Sequence, residues 1–315
     1  MVLLGFSACF PVFGAGGQDG SLKWRQNGTE ATVTGVTGKP GEVSVPLTIG
    51  GLPVAAIKKD AFKNKGLTRV SFPESVTSIG DSAFRGNALA GISLPAGLQR
   101  LGAGAFYGNQ LTSLVIPAGV TVIKGFTFQK NRLVSVELPD GIISIGEFAF
   151  ADNQLSGVLS LPLNLVKIAT FAFSKNHLQD TLEIPGAVTE IGAFAFSDNQ
   201  LSGITFPAGL AEIPAGVCNG NRLTSVIIPE SATAIGERAF AFNQLTAVVI
   251  PISVREIKKA AFGDNPVSSI TIGGDVALHK TSFDNGFTAF YNKSGRKAGV
   301  YGLVNGVWSV LSKKE

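Results

Sequence analysis

One phrase of 22 or 23 residues, repeated through the middle of the chain, leaves few folds open to it. Asn109 to Lys130, NQLTSLVIPAGVTVIKGFTFQK, shows the phrase most plainly. Its landmark asparagine recurs at Asn64, Asn87, Asn109, Asn131, Asn153, Asn176, Asn199, Asn221, Asn243 and Asn265. A proline keeps step from Pro73 to Pro251, and a phenylalanine from Phe62 to Phe283, with Cys218 standing once in the aromatic's place. Three residue types held in one register mark a stack of similar units rather than a run of ordinary domains.

Each position has a physical task. Leu111, Leu114 and Ile116 have the L-x-x-L-x-L spacing that turns apolar side chains inward from a short parallel strand, and Pro117, lacking an N–H, ends that strand. After a turn at Ala118-Gly119, Val120, Ile123 and Phe128 re-enter the interior. Asn109 sits at the corner before the next strand, where its amide can satisfy turn backbone groups, left-handed geometry is tolerated, and one amide per repeat could form a ladder. A lone repeat buries too few side chains to offset the ordering of its backbone, so neighbours must stack to share a core.

The phrase L-x-x-L-x-I-P…V-x-x-I-x-x-x-A-F, clean from Val226-Ile227-Ile228-Pro229 to Ile235-Gly236-Glu237-Arg238-Ala239-Phe240, resembles the BspA-like, or treponemal, bacterial leucine-rich repeats. The resemblance implies an α/β-type, β-rich leucine-rich repeat solenoid with a parallel strand sheet on one face, short irregular or extended segments on the other, and β caps at both ends. It also implies a secreted or surface-exposed binding protein, often an adhesin. Here the asparagine precedes the strand, and Gly119 occupies the place of the general pattern's asparagine, so the usual asparagine-ladder geometry is not assured.

Only 15% of the 315 residues are charged, and the net charge of +4 is scattered, which gives no basic groove for nucleic acid. Of the two cysteines, Cys218 reads as a small buried hydrophobe. A phenylalanine-sized gap beside it would make Cys218→Phe stabilising.

In chain order, residues 1–20 read as a leader and linker. Val2 to Phe13 suits the core of a signal peptide but no basic residue precedes Lys23, and Phe6-Ser7-Ala8-Cys9 resembles a lipoprotein processing box. Either Cys9 becomes a lipid-modified N-terminus, the candidate lipidation site, or the leader is a plain signal or a misassigned start; both point to export. Gly14 to Gly20 reads as a glycine-rich linker. Residues 21–54 predict a β cap with Trp24 in its core, residues 55–283 the repeats, and residues 284–315 an aromatic cap. In the last, Asn305-Gly306 signals a hairpin; an aromatic ligand platform is the alternative for Phe287, Phe290, Tyr291, Tyr301 and Trp308.

Catalytic signatures are sparse. His177 falls in a variable corner slot and His279 where the register decays, neither with metal-ligand partners, and no Gly-x-Ser-x-Gly elbow occurs. Glu137 and Glu183, two repeats apart, would stand about 10 Å apart, a spacing open to an inverting glycosidase, but without flanking aromatics they read as a solvated face. No metal, cofactor or catalytic group is expected, and the chain reads as a non-enzyme.

What remains is surface. Side chains two before each proline face outward, and Val115, Glu137, Glu183, Thr205, Ile227 and Val249 form the candidate binding face, acidic in the middle and apolar at Ile227 and Val249. The leading expectation is an exported binding protein at the cell surface or in the periplasm, holding a protein partner such as a host matrix or surface protein. A lipid anchor at Cys9 would be its membrane contact, placing it at the outer membrane. The alternatives are a periplasmic self-assembling scaffold, and a lipid or small-molecule carrier with a cleft between the phenylalanine row and the C-terminal aromatics.

Overall fold

The structure is a computed structural model that describes residues 16–313; the leader Val2–Phe13 and Cys9 lie outside the described residues. The chain begins as an antiparallel meander of Gly16–Asp19, Leu22–Asn27 and Glu30–Val36, the last of which pairs in parallel with Leu52–Ile57 and so starts the stack. Gly16–Asp19, expected to be linker, is therefore the edge strand of this cap. Backbone pairing overrides its glycine content. Trp24 is half-buried and packs against the core, as its alternating strand predicts.

Each following turn contains two extended pieces. The L-x-x-L-x-L piece pairs in separate blocks: Glu42–Ser44 with Arg69–Ser71, Thr181–Glu183 with Gly203–Thr205, and Ala247–Val249 with Ser269–Ile272, with isolated single bridges at Val115–Glu137 and Thr205–Ile227. The piece after the proline pairs more regularly. Two-residue strands such as Val122–Ile123, Ser144–Ile145, Lys167–Ile168 and Glu190–Ile191 hydrogen-bond in parallel, turn upon turn. The face expected to be short and extended thus also carries a ladder. Its bonds run from the residue after each isoleucine to the preceding turn's isoleucine carbonyl, as in Gly146 N to Ile123 O at 2.7 Å. At Pro214 that N–H does not exist, and Glu190–Ile191 is not paired with Glu212–Ile213. A second break, between Arg100–Leu101 and Val122–Ile123, has no proline to account for it.

The core is a column of phenyl rings. Phe62, Phe84, Phe106, Phe128, Phe150, Phe173 and Phe196 are fully buried and nearly parallel, with centroids 5.0 to 5.8 Å apart. Cys218 interrupts the column, which resumes at Phe240, Phe262 and Phe283. The interruption is compensated within the same turn. Phe206 stands where most other turns have isoleucine or leucine, is only 6% exposed, and meets Phe240 edge-on at 6.2 Å. Phe72 holds the equivalent place in a turn that keeps its Phe84, and there it is half-buried.

The expectation that Cys218→Phe stabilises is therefore replaced by the opposite one, because Phe206 already brings extra buried bulk to this turn. We expect Cys218→Phe to cost about 1–2 kcal/mol by overpacking, read as a lower melting temperature. Phe206→Ile in the same chain should recover the loss, since it restores the arrangement of the other turns. A rise in melting temperature for Cys218→Phe alone would contradict this packing.

The asparagines do form a ladder. Asn131 Nδ2 donates to the carbonyls of Phe128 (3.0 Å) and, one turn back, Phe106 (2.9 Å), while its Oδ1 accepts the Leu111 N–H at 3.1 Å. The same set recurs at Asn109, Asn153, Asn176, Asn199, Asn221 and Asn243. The left-handed residue is not the asparagine but the one before it, such as Lys130, Asp152 or Lys175; Asn64 alone among the landmarks has that conformation itself. A second left-handed position lies two residues before the core phenylalanines from Phe62 to Phe262, as at Ser82, Phe126 and Arg238.

The stack closes with the helix Phe287–Lys293 and the hairpin of Gly299–Val304 and Val307–Lys313, whose first strand pairs antiparallel with Ser269–Ile272. Asn305 and Gly306 have φ of 52° and 77°, the pair of left-handed residues that such a two-residue turn needs. The short helix was not legible in the sequence. Phe287 packs against Phe283, Tyr301 and Trp308 at 5.3, 5.4 and 4.9 Å, and Trp308 Nε1 donates to the Asn285 carbonyl. Phe287, Tyr291, Tyr301 and Trp308 are buried, so these rings are cap rather than ligand platform. Because Phe283 and Phe287 touch, the cleft expected of a lipid carrier is filled.

Candidate binding surfaces

The row two before the prolines faces solvent. Val115, Ile227 and Val249 are 61%, 72% and 60% exposed, and Glu137, Ser160, Glu183 and Thr205 are exposed as well. The cause is the two-residue period of an extended chain: flanking residues such as Leu182 and Ile184 or Val248 and Ile250 are buried, so the residue between must point out. Register brings some of the row together. Glu183, Thr205 and Ile227 lie side by side on paired strands, as do Val115 with Glu137 and Val249 with Thr271. Ile227 and Val249 occupy successive turns, but no main-chain pairing joins their strands among the described residues. Glu137 and Glu183 fall in separate blocks with the Ser160 turn between them.

Further apolar side chains project from the turns, and the sequence reading passed over them. Leu163 and Ile252 are 77% and 74% exposed. Each directly follows its proline, a slot that other turns fill with Ala, Asp, Glu or Gly, and that contrast was the available signal. An open depression of about 460 Å³ lies beside Val115, between Ile92, Ser93 and Leu94 on one turn and Ser113 and Pro117 on the next. A larger one, about 770 Å³, lies over the other ladder where Pro214 breaks it, bordered by Glu147, Glu212 and the Lys167–Glu190 ion pair at 2.6 Å.

A second surface feature was also missed. Phe126, Phe148, Phe171 and Phe194 stack on one another at 5.3, 4.7 and 5.0 Å, outside the core and partly exposed. All four have left-handed backbones, with φ between 53° and 62°. A bulky side chain in that region costs on the order of 1–3 kcal/mol. The stacking of rings from successive turns offsets part of this. In sequence the residues appear only as the first members of Phe-x-Phe doublets, whose second members carry the core column.

Groups suited to chemistry are dispersed. His177 is exposed with Gln200 3.4 Å from its ring, and His279 contacts Thr281 at 3.0 Å. Among the described residues no three His, Cys, Asp or Glu side chains gather as a metal site would require. Cys218 is fully buried, and desolvation pushes its thiol far above the ordinary range, which removes the thiolate as a nucleophile at neutral pH. No helix among the described residues is long and apolar enough to cross a membrane.

Parallel ladders on stacked turns of 22 or 23 residues, an inward column of aliphatic and phenyl side chains and an outward strand row define a leucine-rich repeat solenoid. The chain belongs to the BspA type leucine rich repeat family: that repeat region matches in six copies over residues 55–179 and 166–289. Among solved structures, the pneumococcal vaccine antigen PcpA is similar in fold, with a TM-score of 0.56 and 20% identity over 84% of this chain and 83% of that one. A leucine rich cell surface protein from Faecalibacterium prausnitzii A2-165 is 23% identical over 86% of this chain and 97% of its own, with a TM-score of 0.42. A leucine-rich repeat protein from Bacteroides ovatus is 19% identical over 83% and 66%, with a TM-score of 0.49. Comparison with curated protein sequences gives no match.

Proposed function

We propose that the protein is an exported, non-enzymatic binding protein that holds a protein partner, such as a matrix or surface protein of a host cell, through its strand face. The observation that carries this is the block Glu183, Thr205 and Ile227, in register and exposed, with Val249 on the next turn. Large apolar side chains that a solenoid leaves uncovered in an ordered row supply contact area, and the neighbouring carboxylate selects against wrong partners. Family membership agrees with a binding role, since leucine-rich repeat scaffolds offer surface rather than a catalytic cleft. Export is supported by the signal-like run Val2 to Phe13 and the processing-box resemblance at Cys9.

The test is binding of the purified protein to immobilised matrix proteins and to whole cells. Ile227→Asp with Val249→Asp should weaken binding about tenfold or more while leaving the melting temperature unchanged, because both side chains are already in water. Binding that survives the double substitution, or a wild-type protein that binds none of these surfaces, removes the strand-face reading. Protease treatment of intact cells tests location: loss of the protein places it outside, and protection in intact but not permeabilised cells sinks the extracellular partner.

A further inference from the structure

The outer phenylalanine column ends differently at its two ends. Beyond Phe194 stands Gly216, where a Cβ would fall 2.1 Å from the Phe194 ring. That ring therefore rests on the Gly216 backbone, and its outer face is closed. At the other end the position before Phe126 is Gly104, with φ of +59°. A Cβ there would meet Ser82 Oγ at 3.6 Å, Tyr107 Cβ at 3.8 Å and Phe126 Cβ at 4.0 Å, with no ring atom nearer. Phe126 is 38% exposed, and among the described residues no ring stacks on its Gly104 side. One rung of the column is vacant.

The border of this vacancy is polar. Ser82 supplies a hydroxyl, and Asp81 stands next to it, its Oδ1 accepting the Ala103 N–H at 2.8 Å. Lys124 reaches back across the Gly102–Gly104 turn to the same oxygen at 3.9 Å, and the two side chains are 56% and 48% exposed, so both have capacity for a ligand. The Tyr107 ring does not offer a second platform, because the Arg85 guanidinium covers it at 4.2 Å. An aromatic side chain seated on Phe126 would press its apolar edge against a carboxylate, an ammonium and a hydroxyl. A pyranose ring would not: one face is built of C–H bonds and its rim of hydroxyls.

We propose that the space over Gly104 binds a pyranose unit of a glycan, its C–H face on Phe126 and its hydroxyls on Asp81, Ser82 and Lys124. The site lies away from the strand row, so it stands or falls independently of protein binding there. Neighbouring turns repeat the backbone but not the vacancy, since Phe148, Phe171 and Phe194 fill the same rung themselves.

Saturation-transfer NMR on the intact protein tests this with four probes: the methyl glycosides of glucose, galactose, mannose and N-acetylglucosamine. Transfer to ring C–H protons of at least one is expected. Phe126→Ala should weaken that binding about tenfold. Gly104→Phe should abolish it in a protein that still folds, with a modestly lower melting temperature, since the chain already places phenylalanine in this strained backbone conformation at four successive turns and stacking on Phe126 offsets part of the strain. Asp81→Asn can keep the bond to Ala103 and with it the local fold, and should weaken binding without changing the melting temperature. No transfer to any of the four glycosides overturns the proposal, and so does undiminished transfer in Asp81→Asn and Phe126→Ala or in folded Gly104→Phe.

Discussion

Replacing Phe150 with alanine is expected to destabilise the protein by about 3–5 kcal/mol, the range for removing a fully buried phenyl ring from a packed core. Phe150 has no solvent exposure and stacks on Phe128 at 5.5 Å and on Phe173 at 5.3 Å, so the substitution opens a void that touches three turns at once. In a solenoid each turn is stabilised through its neighbours, and the loss falls on two interfaces. Denaturant unfolding followed by circular dichroism should show an earlier and broader transition, as the halves on either side uncouple. A loss below about 1.5 kcal/mol would mean that neighbouring rings slide in to refill the column.

The other large effect is expected at the asparagine ladder. Asn131→Ala strands the buried Leu111 N–H, which has only Asn131 Oδ1 as acceptor, at 3.1 Å. The Phe106 and Phe128 carbonyls each lose one donor but keep another, from Asn109 and Asn153. One orphaned buried donor, the lost carbonyl bonds and a small cavity together amount to about 2–4 kcal/mol. Asn131→Asp is expected to be at least as costly at neutral pH. It keeps the acceptor but turns a carboxylate oxygen towards two carbonyls in a site only 7% exposed. Protonation restores a donor, so the aspartate variant should gain on the alanine variant as pH falls. Equal stability of the aspartate variant and the wild type at pH 7 would show that the site is open to water.

The repeat, its direction and its inward set were legible because they depend on the period alone. Leu111, Leu114, Ile116, Val120, Ile123 and Phe128 are all buried, as the phrase requires. The outward row was legible for the same reason, since alternation along an extended chain fixes which side chain faces water. What the sequence withheld are properties of backbone shape. Nothing in Lys130 or Phe126 announces a left-handed conformation, because lysine and phenylalanine do not favour it; the stacked neighbours impose it, whereas Gly86, Gly108, Asp152, Asp198, Gly220 and Asp264 in the slot before the asparagine suit that conformation. The ladder after the proline is equally hidden, since two-residue strands leave no alternation to read. Cys218 was seen as an exception, but its partner Phe206 was not, because the compensation acts across the turn rather than along the chain.

Phe206 and Cys218 belong to one turn, and there the exception balances itself. From Asn87 to Asn265 each turn hands the next the same asparagine bonds, so the length of such a rod can change by whole turns during evolution without redesign of the remainder. The turn with Cys218 can travel as an intact cassette, whereas either of its two unusual residues inherited alone would leave a misfit.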